Sequence, residues 1–136
     1  MSARYLLDTN IVSYYLRRSS ALLEQRVARG LQKQTVVISA LTRAELRFGQ
    51  VAMVADDRRR ALIDQFLQQL PNLPWTEQAA DHYGEIKGQH KRLGTPIGEL
   101  DTQIAAHAVA EGLTLVTHNT RHFERVQGLA LEDWVA

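Results

Sequence analysis

Tyr5-Leu6-Leu7-Asp8-Thr9-Asn10 is the stretch on which the reading of this chain turns. A short apolar run stops abruptly at an acid, and a helix-like pattern starts two residues later. Such a run reads as a buried strand. In open α/β sheets, ligands gather beyond the carboxyl ends of the strands, and Asp8 stands at that place. Two further acids, Glu45 and Asp101, have apolar neighbours at helical spacing. Leu41, Ala44 and Phe48 surround Glu45, and Ile104, Ala105 and Ala108 follow Asp101. A carboxylate turned toward an interior is costly unless it is paired or bound to a cation. Three of them point to a divalent metal ion.

Outward from this segment, strand-like and helix-like stretches alternate, which predicts a parallel sheet covered by helices. Strands are expected at about 4–7, 35–38, 73–75 and 113–117, with a last edge strand within 129–134. Helices are expected at about 11–16, 21–31, 40–53, 57–70, 77–93, 99–111 and 121–125. Thr9 or Asn10 would cap the first helix and Gly30 would stop the second. Ser39 or Thr42 would cap the third. Pro71 and Gly94 end later helices. Pro74 assigns its strand to an irregular or edge position. The fold class that follows is a three-layer α/β/α domain over residues 1–136, with a mostly parallel sheet of four or five strands.

The 136 residues suffice for one domain with a proper core. The absence of cysteine excludes disulfides and thiolate-bound zinc or iron–sulfur centres, and fits a reducing, cytoplasmic setting. No signal peptide or apolar run of membrane-spanning length is present. A net charge of +1 does not announce nucleic acid, although a neutral total can conceal a local basic rim. Neither phosphate-binding loop motif occurs, and the five histidines form no zinc helix motif.

Each acid has a competing local reading. Asp8 could simply cap a helix, Glu45 could complete a capping box with Thr42, and Asp101 could complement a helix dipole. Asn119, a neutral oxygen donor that follows the fourth strand and Thr117, could be a turn residue. Taken together, the ends of two strands and the start of a helix can converge at one sheet edge. Clustered carboxylates raise one another's pKa, and a cation removes the conflict. An all-oxygen donor set favours Mg²⁺ or Mn²⁺. His118 and His122 read as solvated loop residues. Arg43, Arg47 and Arg121 lie nearest the acids in sequence and are the first candidates for phosphate contacts.

The ordered set Leu6-Leu7-Asp8-Thr9-Asn10, Glu45, Gly98-Glu99-Leu100-Asp101-Thr102-Gln103-Ile104-Ala105-Ala106-His107-Ala108, and Leu115-Val116-Thr117-His118-Asn119 with Phe123 resembles the motifs of PIN-domain ribonucleases. It is most similar to the VapC toxins of bacterial toxin–antitoxin pairs. Gly128-Leu129 and Glu132-Asp133-Trp134 extend the likeness. The resemblance implies that Asp8, Glu45 and Asp101 bind metal, with Asn119 where many members carry Asp. It implies hydrolysis of structured RNA to 5′-phosphate and 3′-hydroxyl ends, with tRNA and the initiator anticodon loop as the expected target. It also implies a VapB-type antitoxin and a homodimer. Two other functions compete. A haloacid-dehalogenase-like phosphatase would use Asp8 as nucleophile, but it needs an acid where Asn10 stands and a later lysine near the site. A non-enzymatic interaction module would carry its acids only as caps.

Overall fold

A computed structural model describes residues 2–135; Met1 and Ala136, the ends of the expected 1–136 domain, lie outside the described residues. The elements follow in the order β1 (Tyr5–Leu7), α1 (Thr9–Leu16), α2 (Ala21–Lys33), β2 (Val36–Ser39), α3 (Ala40–Val51), α4 (Arg58–Gln69), β3 (Asn72–Leu73), α5 (Glu77–Leu93), α6 (Glu99–Glu111), β4 (Thr114–Val116), α7 (Thr120–Phe123) and β5 (Leu131–Glu132). The five strands form one sheet in the order β3-β2-β1-β4-β5, and every pairing is parallel. β3 is an edge strand, as Pro74 requires of its neighbourhood.

Side chains alternate across the strands with a period of two, and this splits the core. Leu7, Val36, Ile38 and Val116 face one layer, where Ile11, Val12, Leu23, Val27, Ile63 and Phe66 of α1, α2 and α4 meet them. Leu6, Val37 and Leu115 face the other, against Ile86, Ile104, Ala105, Ala108 and Phe123 of α5, α6 and α7. The three-layer arrangement follows directly: a strand apolar on both sides needs helices on both sides.

Three local expectations are corrected. Asp8, not Thr9 or Asn10, caps α1, accepting the Ile11 N–H on Oδ1 at 2.7 Å. Gly30 does not stop α2. The helix continues to Lys33 and ends at Gln34, which itself takes the left-handed conformation (φ 59°). Gly30 is there for contact: a Cβ on it would lie 2.5 Å from Val36 Cγ1, so the missing side chain lets α2 sit on β2. Glu45 is also not on a buried face. The inward side of α3 is Thr42, Leu46 and Gln50, while Glu45, Ala44 and Phe48 face solvent. Of the apolar neighbours that placed Glu45 in the interior, Leu41 packs against the core while Ala44 and Phe48 are exposed.

Candidate active site

β1 lies at the centre of the sheet, and the chain leaves it toward β2 and β3 on one side and β4 and β5 on the other. The β1/β4 boundary is therefore the point where a parallel sheet opens a crevice at its carboxyl edge. Asp8 leaves β1 and Thr117 leaves β4 at this boundary, locked side by side by the Asp8 N–H donated to Val116 O at 3.1 Å. Asp8 is 5% exposed. Burial pushes its carboxyl up to about 6, and the nearby Asp101 charge adds to the rise. The Thr117 hydroxyl and the Ile11 N–H oppose it by hydrogen bonding to the carboxylate, with a further contribution from His118. Thr117, itself fully buried, also accepts the Asn119 N–H at 3.1 Å, so one hydroxyl couples the end of β1 to the turn after β4.

Asp101 reaches the same region from the first turn of α6. Gly98 at φ 96° turns the loop into that helix, and the Thr102 hydroxyl closes the turn on Gly98 O at 2.6 Å. The Asp101 carboxylate is half-exposed, and its Oδ2 lies 3.0 Å from His122 Nε2. The same nitrogen lies 2.7 Å from Ile97 O. Both neighbours are acceptors, so Nε2 carries the proton and holds α7 against the loop before α6. His122 is thus a site residue, not the solvated loop histidine that its sequence position predicts. The signal for it is spatial: α7 folds back so that its first turn meets the start of α6. Asn119 precedes α7 and lines, with Asn10, Tyr14, Thr117 and His118, a cavity of about 310 Å³ at the crevice mouth. His118 closes the rim through Asp133, 3.0 Å from Nδ1.

Glu45 comes from the other side. The Thr9 and Thr42 hydroxyls meet at 3.0 Å, tying α3 to the residue after Asp8. One turn further along α3, Glu45 borders a separate groove of about 350 Å³ with Thr9, Ser13 and Arg17. The start of α3 is fixed by Ser39, whose Oγ accepts the Leu41 N–H at 3.0 Å and bonds the fully buried His107 at 2.8 Å. Burial lowers the His107 pKa. The His107 Nδ1–Ser39 Oγ bond ties α6 to the start of α3. Among the described residues, no three acidic or histidine side chains are already gathered into one cage. Asp8 and Asp101 feel each other's charge, Asn119 joins them through Thr117, and Glu45 flanks them across Thr9.

Of the three arginines nearest the acids, two are engaged in the fold. Arg43 donates to Asn72 Oδ1 at 2.7 Å, and Arg47 pairs with Asp64 and donates to Gln50 Oε1. Arg121 is exposed.

The donor set fits a hard divalent cation. Burial and the nearby Asp101 charge raise the cost of an ionised Asp8, and a cation between the two carboxylates would offset that cost.

The family model for the PIN domain matches residues 5–129. The chain belongs to the PIN-domain family. Within it, the chain is 36% identical over 131 residues to the tRNA(fMet)-specific endonuclease VapC of Salmonella typhimurium, covering 96% of this chain and 98% of that protein. It is 42% identical over 132 residues to ribonuclease VapC2 of Haemophilus influenzae, covering 97% and 98%. The solved DNA-bound VapBC from Salmonella typhimurium superposes with a TM-score of 0.89 at 35% identity, over 97% of this chain and 98% of that one. VapBC2 from Rickettsia felis, bound to a promoter DNA fragment, gives 0.87 at 31% identity, over 98% and 99%. This PIN domain is accordingly an endoribonuclease of the VapC toxin type. Neither the phosphatase nor the non-enzymatic reading finds support in these likenesses.

Proposed function

We propose that residues 1–136 act as one PIN domain that hydrolyses phosphodiester bonds in structured RNA, with tRNA as the substrate class and the initiator anticodon loop as the target. The observation that carries this reading is the buried Asp8 at the β1/β4 crevice, its carboxyl pushed up to about 6 by burial and by the nearby Asp101 charge. The tRNA(fMet)-specific relatives support the choice of RNA. Asp8, Asp101 and Glu45 would hold Mg²⁺ or Mn²⁺, with Asn119 completing the set directly or through water. When bound, the ion supplies Lewis-acid stabilisation of the phosphoryl oxygens and lowers the pKa of the attacking water.

The chain's own groups prepare that chemistry. Thr117 and the Ile11 N–H favour ionised Asp8 and fix its direction. His122 fixes Asp101. Asn119 and Asn10 present neutral polar groups to the cavity where a strand of RNA would lie, and Arg121 offers its cation to the backbone from the turn beyond. Attack in line and departure of the 3′ oxygen leave 5′-phosphate and 3′-hydroxyl ends. The uncompensated acids repel the RNA backbone, so cleavage depends on the cation. A VapB-type antitoxin is the protein partner, by the assembly seen in the neighbouring VapBC structures. The active form is a homodimer in the cytoplasm.

The test uses antitoxin-free protein and unfractionated tRNA. Cleavage should require Mg²⁺ or Mn²⁺ and stop with EDTA. Asp8→Asn, Glu45→Gln and Asp101→Asn should each lower the rate by about 10²–10³ with the fold retained. Cleavage near the wild-type rate by all three variants refutes the assignment.

A further inference from the structure

We infer that a basic cradle between α2 and the start of β1, remote from the acids, is a second docking site for the phosphate backbone of RNA. The inward side of α2 is Leu23, Val27 and Gly30. Its outward side presents Arg26, Arg29 and Lys33 at helical spacing, all exposed. Arg4 joins them from the segment leading into β1. Its backbone is fixed on both sides, donating to Thr35 O at 2.8 Å and accepting from the Thr114 N–H at 3.0 Å. Its guanidinium lies over the Tyr5 ring, 5.5 Å from the centroid. All four cations border one cavity of about 410 Å³. The floor is aromatic: Tyr5 and Trp134 meet edge to face with centroids 5.0 Å apart.

Three observations separate this cradle from an ordinary solvated face. Among the described residues, none of its four cations makes an ion pair, whereas Arg18, Arg47, Arg59 and Lys87 each do. The lining contains a single acid, Glu132, and its carboxylate already accepts the Trp134 indole N–H at 2.9 Å. The chain as a whole carries only +1, so the cradle's excess of cations exceeds the total and leaves the rest of the molecule negative. The close seat of α2 on β2, with Gly30 against Val36, fixes the helix that carries three of the charges.

Long exposed cations around an open hollow suit a chain of phosphates, not a small anion in a closed pocket. Arg4 stands at the amino end of β1 and Asp8 just past its carboxyl end, about 13 Å apart along an extended chain. A substrate that touches both must be a polynucleotide. The cradle would thus select folded RNA over short fragments without contacting the scissile bond. This identification of the polyanion rests on the ribonuclease reading above.

The experiment compares wild-type protein with the triple variant Arg26→Gln, Arg29→Gln, Lys33→Gln. These residues are outside the acids' crevice and exposed, and the melting temperature should be unchanged. Binding of unfractionated tRNA is measured in EDTA across a salt series, and cleavage of tRNA and of a short anticodon stem–loop is measured with Mg²⁺. The triple variant should bind tRNA at least about tenfold more weakly, with a shallower salt dependence by up to about three phosphate contacts. KM for tRNA should rise with kcat held, and cleavage of the stem–loop should not change. Unchanged tRNA affinity and salt slope overturn the inference, and so does tighter binding of polyglutamate than of tRNA. Wild-type protein that binds tRNA through these residues but cuts nothing would sink the nuclease reading and leave the cradle standing. Cleavage by a triple variant indistinguishable from wild type does the reverse.

Discussion

Asp8 serves two demands that conflict. Its Oδ1 caps α1, and its burial at the sheet's open edge holds its pKa at about 6, above the ordinary 3.8. A carboxyl whose pKa is raised by folding adds stability below its unfolded pKa, and that contribution disappears as pH rises through the folded value. Metal-free protein should therefore lose stability between about pH 4 and pH 7. Asp8→Asn keeps the cap and removes the charge. At pH 7.5 in EDTA it should be more stable than wild type by about 2–3 kcal/mol, while cleavage is lost. Denaturant unfolding at pH 4 and 7.5 checks this, and a variant no more stable than wild type at pH 7.5 counts against it. The same sign governs the cation, which competes with a proton for Asp8. The rise in melting temperature caused by Mn²⁺ should be larger at pH 7.5 than at pH 5.5. His122 belongs to this scale as well. His122→Ala frees the Asp101 carboxylate and the Ile97 carbonyl together, and should slow cleavage about tenfold with the fold intact. Partial recovery in His122→Gln, which keeps a donor, would mark positioning as the cause.

At the scale of elements, α2 and α5 each carry a glycine in the helix interior, for opposite reasons. Gly30 sits where a methyl group would meet Val36, and Gly84 has nothing within 4 Å of its missing Cβ. Gly30→Ala should destabilise by about 1–3 kcal/mol through overpacking. Gly84→Ala should stabilise by about 0.5–1 kcal/mol through helix propensity. Thermal melts of the two variants should move in opposite directions, and a common direction would show that helix propensity alone decides both. The periodicity of 77–93 and 99–111 was fully legible, because each helix has a capping or helix-starting residue at one end and a glycine at the other. The end of α2 was not. Nothing local distinguishes a glycine that stops a helix from one that lets two elements touch, and the answer lies on β2.

Across the whole molecule, α3 and the residues just after it turn large apolar side chains outward. Phe48, Val51 and Val54 are 77%, 82% and 69% exposed. Large apolar side chains this exposed suit a protein contact, and a VapB-type antitoxin is the partner whose docking there the following substitution tests. Phe48→Asp should weaken retention of a VapB-type antitoxin on co-purification and leave tRNA cleavage by the free chain unchanged. Equal retention would place the contact elsewhere. No helix among the described residues is long and apolar enough to cross a membrane.

The alternation of apolar runs and amphipathic stretches determined the layered architecture from the sequence by itself, since strands apolar on both faces leave few other arrangements. Asp8 was equally legible, because an acid that ends a buried strand stands out locally. The company it keeps was decided by the tertiary structure. Strand order puts Thr117 beside Asp8, the fold of α7 brings His122 to Asp101, and the outward turn of α3 puts Glu45 in solvent, where its apolar neighbours had argued for the interior. Spacing along one helix says which residues share a face. Only packing against the rest of the chain says whether that face looks in or out.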